Sequence, residues 1–478
     1  MSENQKNIYI TTAIPYVNGA PHLGHAMDYL LADTYTRYQK LNNKSVRFQA
    51  GTDEHGSKIY KKAAENGVEV KAYVSENSKK FQDFIKKLGV EYTDFIRTTD
   101  KDHERRVQEI WQKLEPHIYK NSYEGWYCEG CERFITQKEY DENGGVCPDH
   151  QKPYEKLSEE NYYLRISDFK DEIKRAIKTD EMKILPDFRK KEILKLLEDS
   201  PDVSISRPKE HVKWGVKVPG DEDQIMYVWP DALANYITVL GYPDEDISEF
   251  WPANVQIVGK DILRFHTIIW PAMLLGLGLP LPKTLLSHGF VLANGQKMSK
   301  SIGNVVDPLE VLGKHGLPAF RYYFLRHADT FLDADYTDEK YEEAYNNELA
   351  NDLGHLVQRL AAMCKKQDLG GLENFVPADD EKYREIMDAL YFSRAFDYAW
   401  EKVQAINKRI DDTKPWELAK AGKSEELKTL LNSLATDLLN ANHLLKPFLP
   451  ETTETIEKIF TAEKIVPGDP LFPKSLSA

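Results

Sequence analysis

The chain has 478 residues, 29% of them charged and 41% hydrophobic, with a formal net charge of -14. That is longer than a single core usually grows, so two to four domains are expected. No apolar run reaches the ~20 residues of a membrane helix and the opening MSENQKNIYI lacks a signal-peptide core, which predicts a cytoplasmic protein without a membrane partner; the acidic balance excludes unspecific polyanion binding and leaves room for a local basic face.

NIYITTAIPY reads as a buried strand, followed by an amphipathic helix with Leu31, Tyr35 and Tyr38 on one face and by the strand VRFQAG, a βαβ opening. On the first turn of that helix, PYVNGAPHLGH sets His22 and His25 on either side of Gly24. Helix N-termini offer free N–H groups and partial positive charge to phosphates, glycine lets a ligand approach the backbone, and two imidazoles add donors. Residues 116–223 differ, with cysteines, many aromatics, the turn-rich DENGG and a charged helix around FKDEIKRAIK, and read as an insertion that splits the sheet. Within it CEGC and CPDH give Cys128, Cys131, Cys147 and His150 the two-pair spacing of a tetrahedral zinc knuckle, with Asp149 a weaker oxygen donor beside His150. Four protein ligands leave no position for water, so the zinc is expected to be structural. Cys364 stands alone in a helical stretch.

The α/β rhythm resumes with QIMYVWPDALANYI, the strand NVQIVGKD, an apolar helix from Trp270 to Leu277 and the strand TLLSHGFV. Gly259 and Asp261 end NVQIVGKD, at the carboxyl edge where doubly wound sheets bind ligands. NGQKMSKSIGN then places Lys297 and Lys300 on a loop bounded by Gly295 and Gly303, where ammonium groups can swing onto phosphates and neutralise developing charge. A loop region is expected up to about residue 345; beyond it the period is helical, punctuated by Pro415, Pro447 and Pro450.

HLGH and KMSKS together resemble the paired signatures of class I aminoacyl-tRNA synthetases. PYVNGAPHLGH, GTDEHG, YVWPDALANY, VGKDILRFH, HGFVLANGQKMSKSIGN, ELANDLGHLVQR and KPWELAK, in the family's order over almost the whole chain, resemble methionyl-tRNA synthetase of the bacterial type with one zinc knuckle. The resemblance implies an α/β fold, a Rossmann-like parallel sheet split by a zinc-binding insertion and followed by an α-helical anticodon-binding bundle. The corresponding domains are 1–115 and 224–288 for the two catalytic halves, 116–223 for the insertion, 289–345 for the KMSKS loop and connecting domain, and 346–478 for the helical bundle. It further implies activation of L-methionine by ATP to methionyl-adenylate with release of pyrophosphate, then transfer to the terminal adenosine of tRNA(Met), the initiator included. Zn2+ in the knuckle, Mg2+ with ATP and a monomeric state complete the expectation.

Matched residue by residue, the resemblance assigns His22, Gly24 and His25 to the triphosphate and Lys297 and Lys300 to its transition state. Gly259 and Asp261 fall at the nucleoside, with Asp261 on the ribose hydroxyls. Ile14, Tyr16, Trp229, Ala232, Leu233, Tyr236, Ile262 and His266 line the methionine pocket, and Asp53 pairs with the substrate ammonium. Polar tips on Tyr16 and His266 facing sulfur favour a thioether over a plain hydrocarbon. Leu233 stands where the family often has proline. For the anticodon CAU, Arg359 and Trp416 match, and His355 occupies the family's asparagine position. Residues 116–223 are too short for the editing insertion of the isoleucine, valine and leucine enzymes. Two other readings stand beside this one: a small-substrate nucleotidyltransferase with the same histidine signature, and a tRNA-binding module without chemistry.

Overall fold

The computed structural model describes residues 6–131, 133–298 and 303–473. They form two compact units, one made of the chain up to Ala20, Val46–Asp83 and Tyr92–Ser287, the other of Pro21–Ser45, Phe84–Glu91 and the chain from His288 onward.

The first unit is built on a six-stranded sheet of β1 (Asn7–Thr12), β2 (Ser45–Thr52), β3 (Asp94–Arg97), β4 (Lys183–Leu185), β5 (Val255–Gly259) and β6 (Thr284–His288), in the order β3-β2-β1-β5-β6-β4. β1 with β5, β2 with β3 and β6 with β4 pair in parallel, in registers such as Ile10↔Val255 and Thr284↔Lys183. Strands covered on both faces need near-continuous apolar sequence, and β1, β5 and β6 are buried along almost their whole length. Tyr9, Tyr236, Trp270 and Leu285 anchor the core between sheet and helices.

Residues 116–223 hold an antiparallel sheet whose long ribbon, Ile118–Cys128 against Glu155–Leu164, ends at Cys128. The insertion is not wholly separate from the main sheet, however. β4 comes from its middle and supplies the edge strand beside β6. Nothing local marks KIL as that strand, because a three-residue segment with two apolar residues has no period of its own.

In the second unit, α1 (Leu23–Leu41) packs with the helical remainder of the chain. Arg321, fully buried, bonds Asp33 of α1 at 2.7 Å and donates to the carbonyls of Phe448 at 2.7 Å and Pro447 at 3.1 Å. TLLSHGFV is not one strand: the chain leaves the sheet at Gly289–Phe290, and Val291–Ala293 pairs with Ala334–Tyr336 and, across a hairpin, with Gln296–Lys297. Asn294 and Gly295 turn that hairpin with φ of 53° and 73°, the left-handed pair that a two-residue turn requires. The region expected to be loop up to 345 contains the helical stretch Pro308–Tyr322, broken by a kink at Gly316 (φ 78°) just before Pro318, and the helix Asp338–Glu343.

The bundle follows as α2 (His355–Lys366), α3 (Phe392–Thr413), α4 (Pro415–Lys420), α5 (Ser424–Leu445) and the helix Pro450–Thr461. Trp400, Phe396 and Leu434 are buried among these helices, and the Phe396 and Phe448 rings stack at 4.5 Å.

Candidate active site and metal centre

In the first unit the strand order reverses between β1 and β5, and the crevice beyond their carboxyl ends is where open α/β sheets take ligands. Ile14 and Tyr16 follow β1, and Tyr16 forms a parallel bridge with Asp53, whose own N–H donates to Pro15 O at 2.9 Å. Beyond β5, a Cβ on Gly259 would lie 2.8 Å from Asp261 Oδ1, so the carboxylate folds back over the strand end. Asp261 is exposed and does not occupy the N-cap of the following helix, Leu263–Thr267, which is Ile262.

The helix Val228–Thr238 brings up the aromatic wall. Trp229 stacks on Phe265 at 3.7 Å and meets His266 edge-on at 6.3 Å. His266 Nδ1 bonds Ile262 O at 3.0 Å and Nε2 lies 2.8 Å from Tyr236 Oη, which assigns the ring proton to Nδ1 and makes Tyr236 the donor to Nε2. Burial lowers the His266 imidazole to about 4, so the ring is neutral. Both nitrogens of His266 are therefore engaged within the protein. Ala232 is buried; Leu233 and Tyr236 belong to the core, whereas Trp229 and Ile262 pack against it half-buried.

In the second unit His22 and His25 cap α1 reciprocally. His22 Nδ1 accepts from Gly24 N at 3.1 Å, His25 Nδ1 accepts from His22 N at 3.2 Å, and the rings stack at 3.6 Å. Two Nδ1 acceptors assign the proton of each neutral ring to Nε2, and burial, followed by the charges of His22 and His288, holds the His25 imidazole well below its ordinary range. Lys297 is placed on the hairpin strand rather than on a loop, its ammonium 4.6 Å from the Phe290 ring centroid. Lys300 lies outside the described residues.

The bundle carries the remaining expected residues. His355 and Arg359 are exposed one turn apart on α2, and Arg359 bonds Asp411 at 3.0 Å near the end of α3. Lys414 turns the chain there with φ 43°, and Trp416 follows in the first turn of α4, 41% exposed, so it is not a core residue.

The knuckle residues meet as their spacing predicts. Cys128, Cys131 and Cys147 Sγ and His150 Nδ1 all lie within 4.8 Å of one another. A tetrahedral zinc with bonds of about 2.3 Å to sulfur and about 2.0–2.1 Å to nitrogen separates sulfurs by about 3.8 Å and sulfur from nitrogen by about 3.5 Å. Cys131 and Cys147 are 3.6 Å apart, and His150 Nδ1 stands 3.5 Å from each and 4.0 Å from Cys128. The donor set therefore fits zinc, and His150 rather than Asp149 completes it.

Sequence reasoning overlooked Phe265, the stacking partner of Trp229, and the buried pair Asp28 and His288, 2.9 Å apart. It also overlooked Asp231, 1% exposed and bonded to two histidines. An acidic residue within the apolar run VWPDALANYI was the available signal for the last.

A family model for class I tRNA synthetases (M) matches residues 8–361. The methionine–tRNA ligase of Caldanaerobacter subterraneus subsp. tengcongensis is 41% identical over 471 residues, covering 94% of this chain and 73% of that one. That of Thermotoga maritima is 37% identical over 98% of this chain and 80% of its own. Among solved structures, Mycobacterium tuberculosis methionyl-tRNA synthetase in complex with methionyl-adenylate is similar with a TM-score of 0.89 and 34% identity, over 98% of this chain and 99% of that one. A parallel sheet split by an insertion, with a histidine-capped helix following its first strand in the chain, over residues that the family model matches, is the architecture of a class I tRNA synthetase. Within that class the chain belongs to the methionine–tRNA ligase family.

Proposed function

We propose that the chain joins L-methionine to tRNA(Met), the initiator included, through methionyl-adenylate. A carboxylate oxygen of methionine attacks the α-phosphorus of ATP, the bond to the β-phosphate oxygen breaks and pyrophosphate leaves; the 3'-terminal adenosine hydroxyl of the tRNA then takes the methionyl group and AMP is released. The amino acid is its own nucleophile, so the protein's task in the first step is positioning and charge stabilisation.

The observation that carries this reading is similarity over almost the whole chain to a synthetase solved with methionyl-adenylate, with both signatures intact. His22 and His25, flanking Gly24, donate from Nε2 to the triphosphate, and Lys297 and Lys300 neutralise charge as pyrophosphate departs. Asp261, beyond Gly259, accepts from the ribose hydroxyls. Asp53 accepts from the methionine ammonium, and Ile14, Tyr16, Trp229, Ala232, Leu233, Tyr236, Ile262 and His266 surround its side chain. Mg2+ accompanies ATP and screens phosphate charge. Cys128, Cys131, Cys147 and His150 would hold Zn2+, which closes the ribbon tip structurally. His355, Arg359 and Trp416 meet the anticodon, where unstacked bases pack on aromatic and guanidinium planes. The protein works as a monomer in the cytoplasm, with the five domains set out from the sequence; no helix among the described residues is long and apolar enough to cross a membrane.

Methionine-dependent exchange of pyrophosphate into ATP tests the reading, and its absence overturns it. Lys300→Ala is expected to slow exchange by orders of magnitude while methionine binding without ATP stays near normal; equal losses in both refute a role in the transition state.

A further inference from the structure

Behind Asp53 lies a buried chain of ionisable groups that the adenylation chemistry leaves unused. Asp231 Oδ2 is 2.7 Å from His55 Nδ1, and its Oδ1 is 3.0 Å from His103 Nε2. His103 Nδ1 in turn lies 2.7 Å from Thr238 Oγ1. On its other side His55 Nε2 stands 3.4 Å from Glu104 Oε1, and the Trp214 ring packs against it edge-on at 5.4 Å. The His55 backbone N–H donates to Asp53 Oδ1 at 3.4 Å. Asp53, His55, His103 and Asp231 are each 3% exposed or less. Glu54, the other acid of the segment, is engaged elsewhere by Arg97 at 2.7 and 2.9 Å and by the Thr52 hydroxyl at 2.8 Å. The charged groups around Asp53 are thus His55, Asp231 and Glu54, and those around His55 are Asp231, Glu104 and Asp53.

Two buried carboxylates close together resist ionising at once unless a cation stands with them. We propose that His55, clamped between Asp231 and Glu104, is a positioning residue that keeps Asp53 in the carboxylate form that receives the methionine ammonium; this rests on the role given to Asp53 above. The electrostatics agree in direction. Burial pushes Asp53 well above the usual carboxylate range, the Asp231 charge adds to it, and His55 opposes both. Burial alone would depress His55, but the charge and hydrogen bond of Asp231 outweigh it and lift the imidazole to about 10. Asp231, despite burial, is drawn down to about 2 by His55 and His103.

The test is the KM for methionine in ATP–pyrophosphate exchange as a function of pH, for the unmodified protein and for His55→Gln, which keeps a donor to Asp231 without the charge. The acid limb, where KM rises as pH falls, is expected to move upward by about one pH unit in the variant, about a tenfold larger KM at a fixed pH on that limb, with a smaller change in kcat. A limb that coincides with the unmodified protein's, or equal losses in KM and kcat at every pH, overturns the proposal. Should the variant fail to fold, ring NMR of the unmodified protein decides, with the resonance assigned through its contact with Trp214. His55 is expected to be an imidazolium at pH 8, and titration near 6.5 overturns the proposal. Absence of exchange in the unmodified protein refutes the active-site reading itself; normal exchange with an unmoved limb refutes only the role of His55.

Discussion

Gly130 shows how much one missing side chain decides. The His150 ring lies over it, so a Cβ there would stand 2.4 Å from His150 Cγ and 2.7 Å from Nδ1. No rotation of a methyl relieves contacts that short, so the fourth ligand is held in place partly by the absence of a Cβ in CEGC. Gly130→Ala is expected to displace His150 and weaken zinc retention about tenfold or more, the scale of losing a group that orients a ligand, with the three thiolates still present. Chelator competition on the purified protein measures it, and unchanged zinc release would show that the ring finds room elsewhere. The spacing of CEGC and CPDH made the ligands legible; the reason the third residue of CEGC is glycine was not, because it depends on a ring twenty positions away.

At the scale of elements, α1 is fixed at its start and at its middle by groups unlike those that usually fix helices. Its start is capped by two imidazoles, each serving the other's backbone. Further along, Asp33, fully buried, is shared by Arg37 at 2.8 Å, by Arg321 at 2.7 Å and by the Glu91 N–H at 3.1 Å. Burial works against the Arg321 charge and Asp33 supports it. Removing one partner of such a pair leaves a poorly compensated charge in a dry interior. Arg321→Met is expected to cost about 3 kcal/mol, near the lower end for a broken buried pair because Arg37 stays, and Asp33→Asn added to it should recover part of the loss. Denaturant unfolding of the single and double variants checks both signs; a neutral single variant would mean that water or Arg37 alone satisfies Asp33. The apolar face of α1 was readable from its period, but the partner of Asp33 stands almost three hundred residues later and carries no local mark.

For the molecule as a whole, the division of labour between adenylation and tRNA recognition yields its own test. Trp416 is exposed at the head of a helix, beside the turn that Asp411 and Arg359 bring together. Stacking one base on an aromatic ring contributes about 1–3 kcal/mol, so Trp416→Ala should weaken tRNA charging by that much, read as kcat/KM for tRNA, whereas pyrophosphate exchange needs no tRNA and serves as the control. A parallel fall in exchange would make the residue a structural support instead. The sequence by itself determined the knuckle ligands through their spacing and the helical end through its period, and its short motifs carried the class of fold and the two signatures through their resemblance to the synthetase family. The tertiary structure alone decided that a strand from the insertion completes the main sheet, that TLLSHGFV divides between two sheets, and that Leu233 joins the core. It alone brought His55 and His103 onto Asp231 across 176 and 128 positions. Pairing of buried charges and strands is settled by which surfaces lose water together, and that is a property of the folded chain, not of any local run of residues.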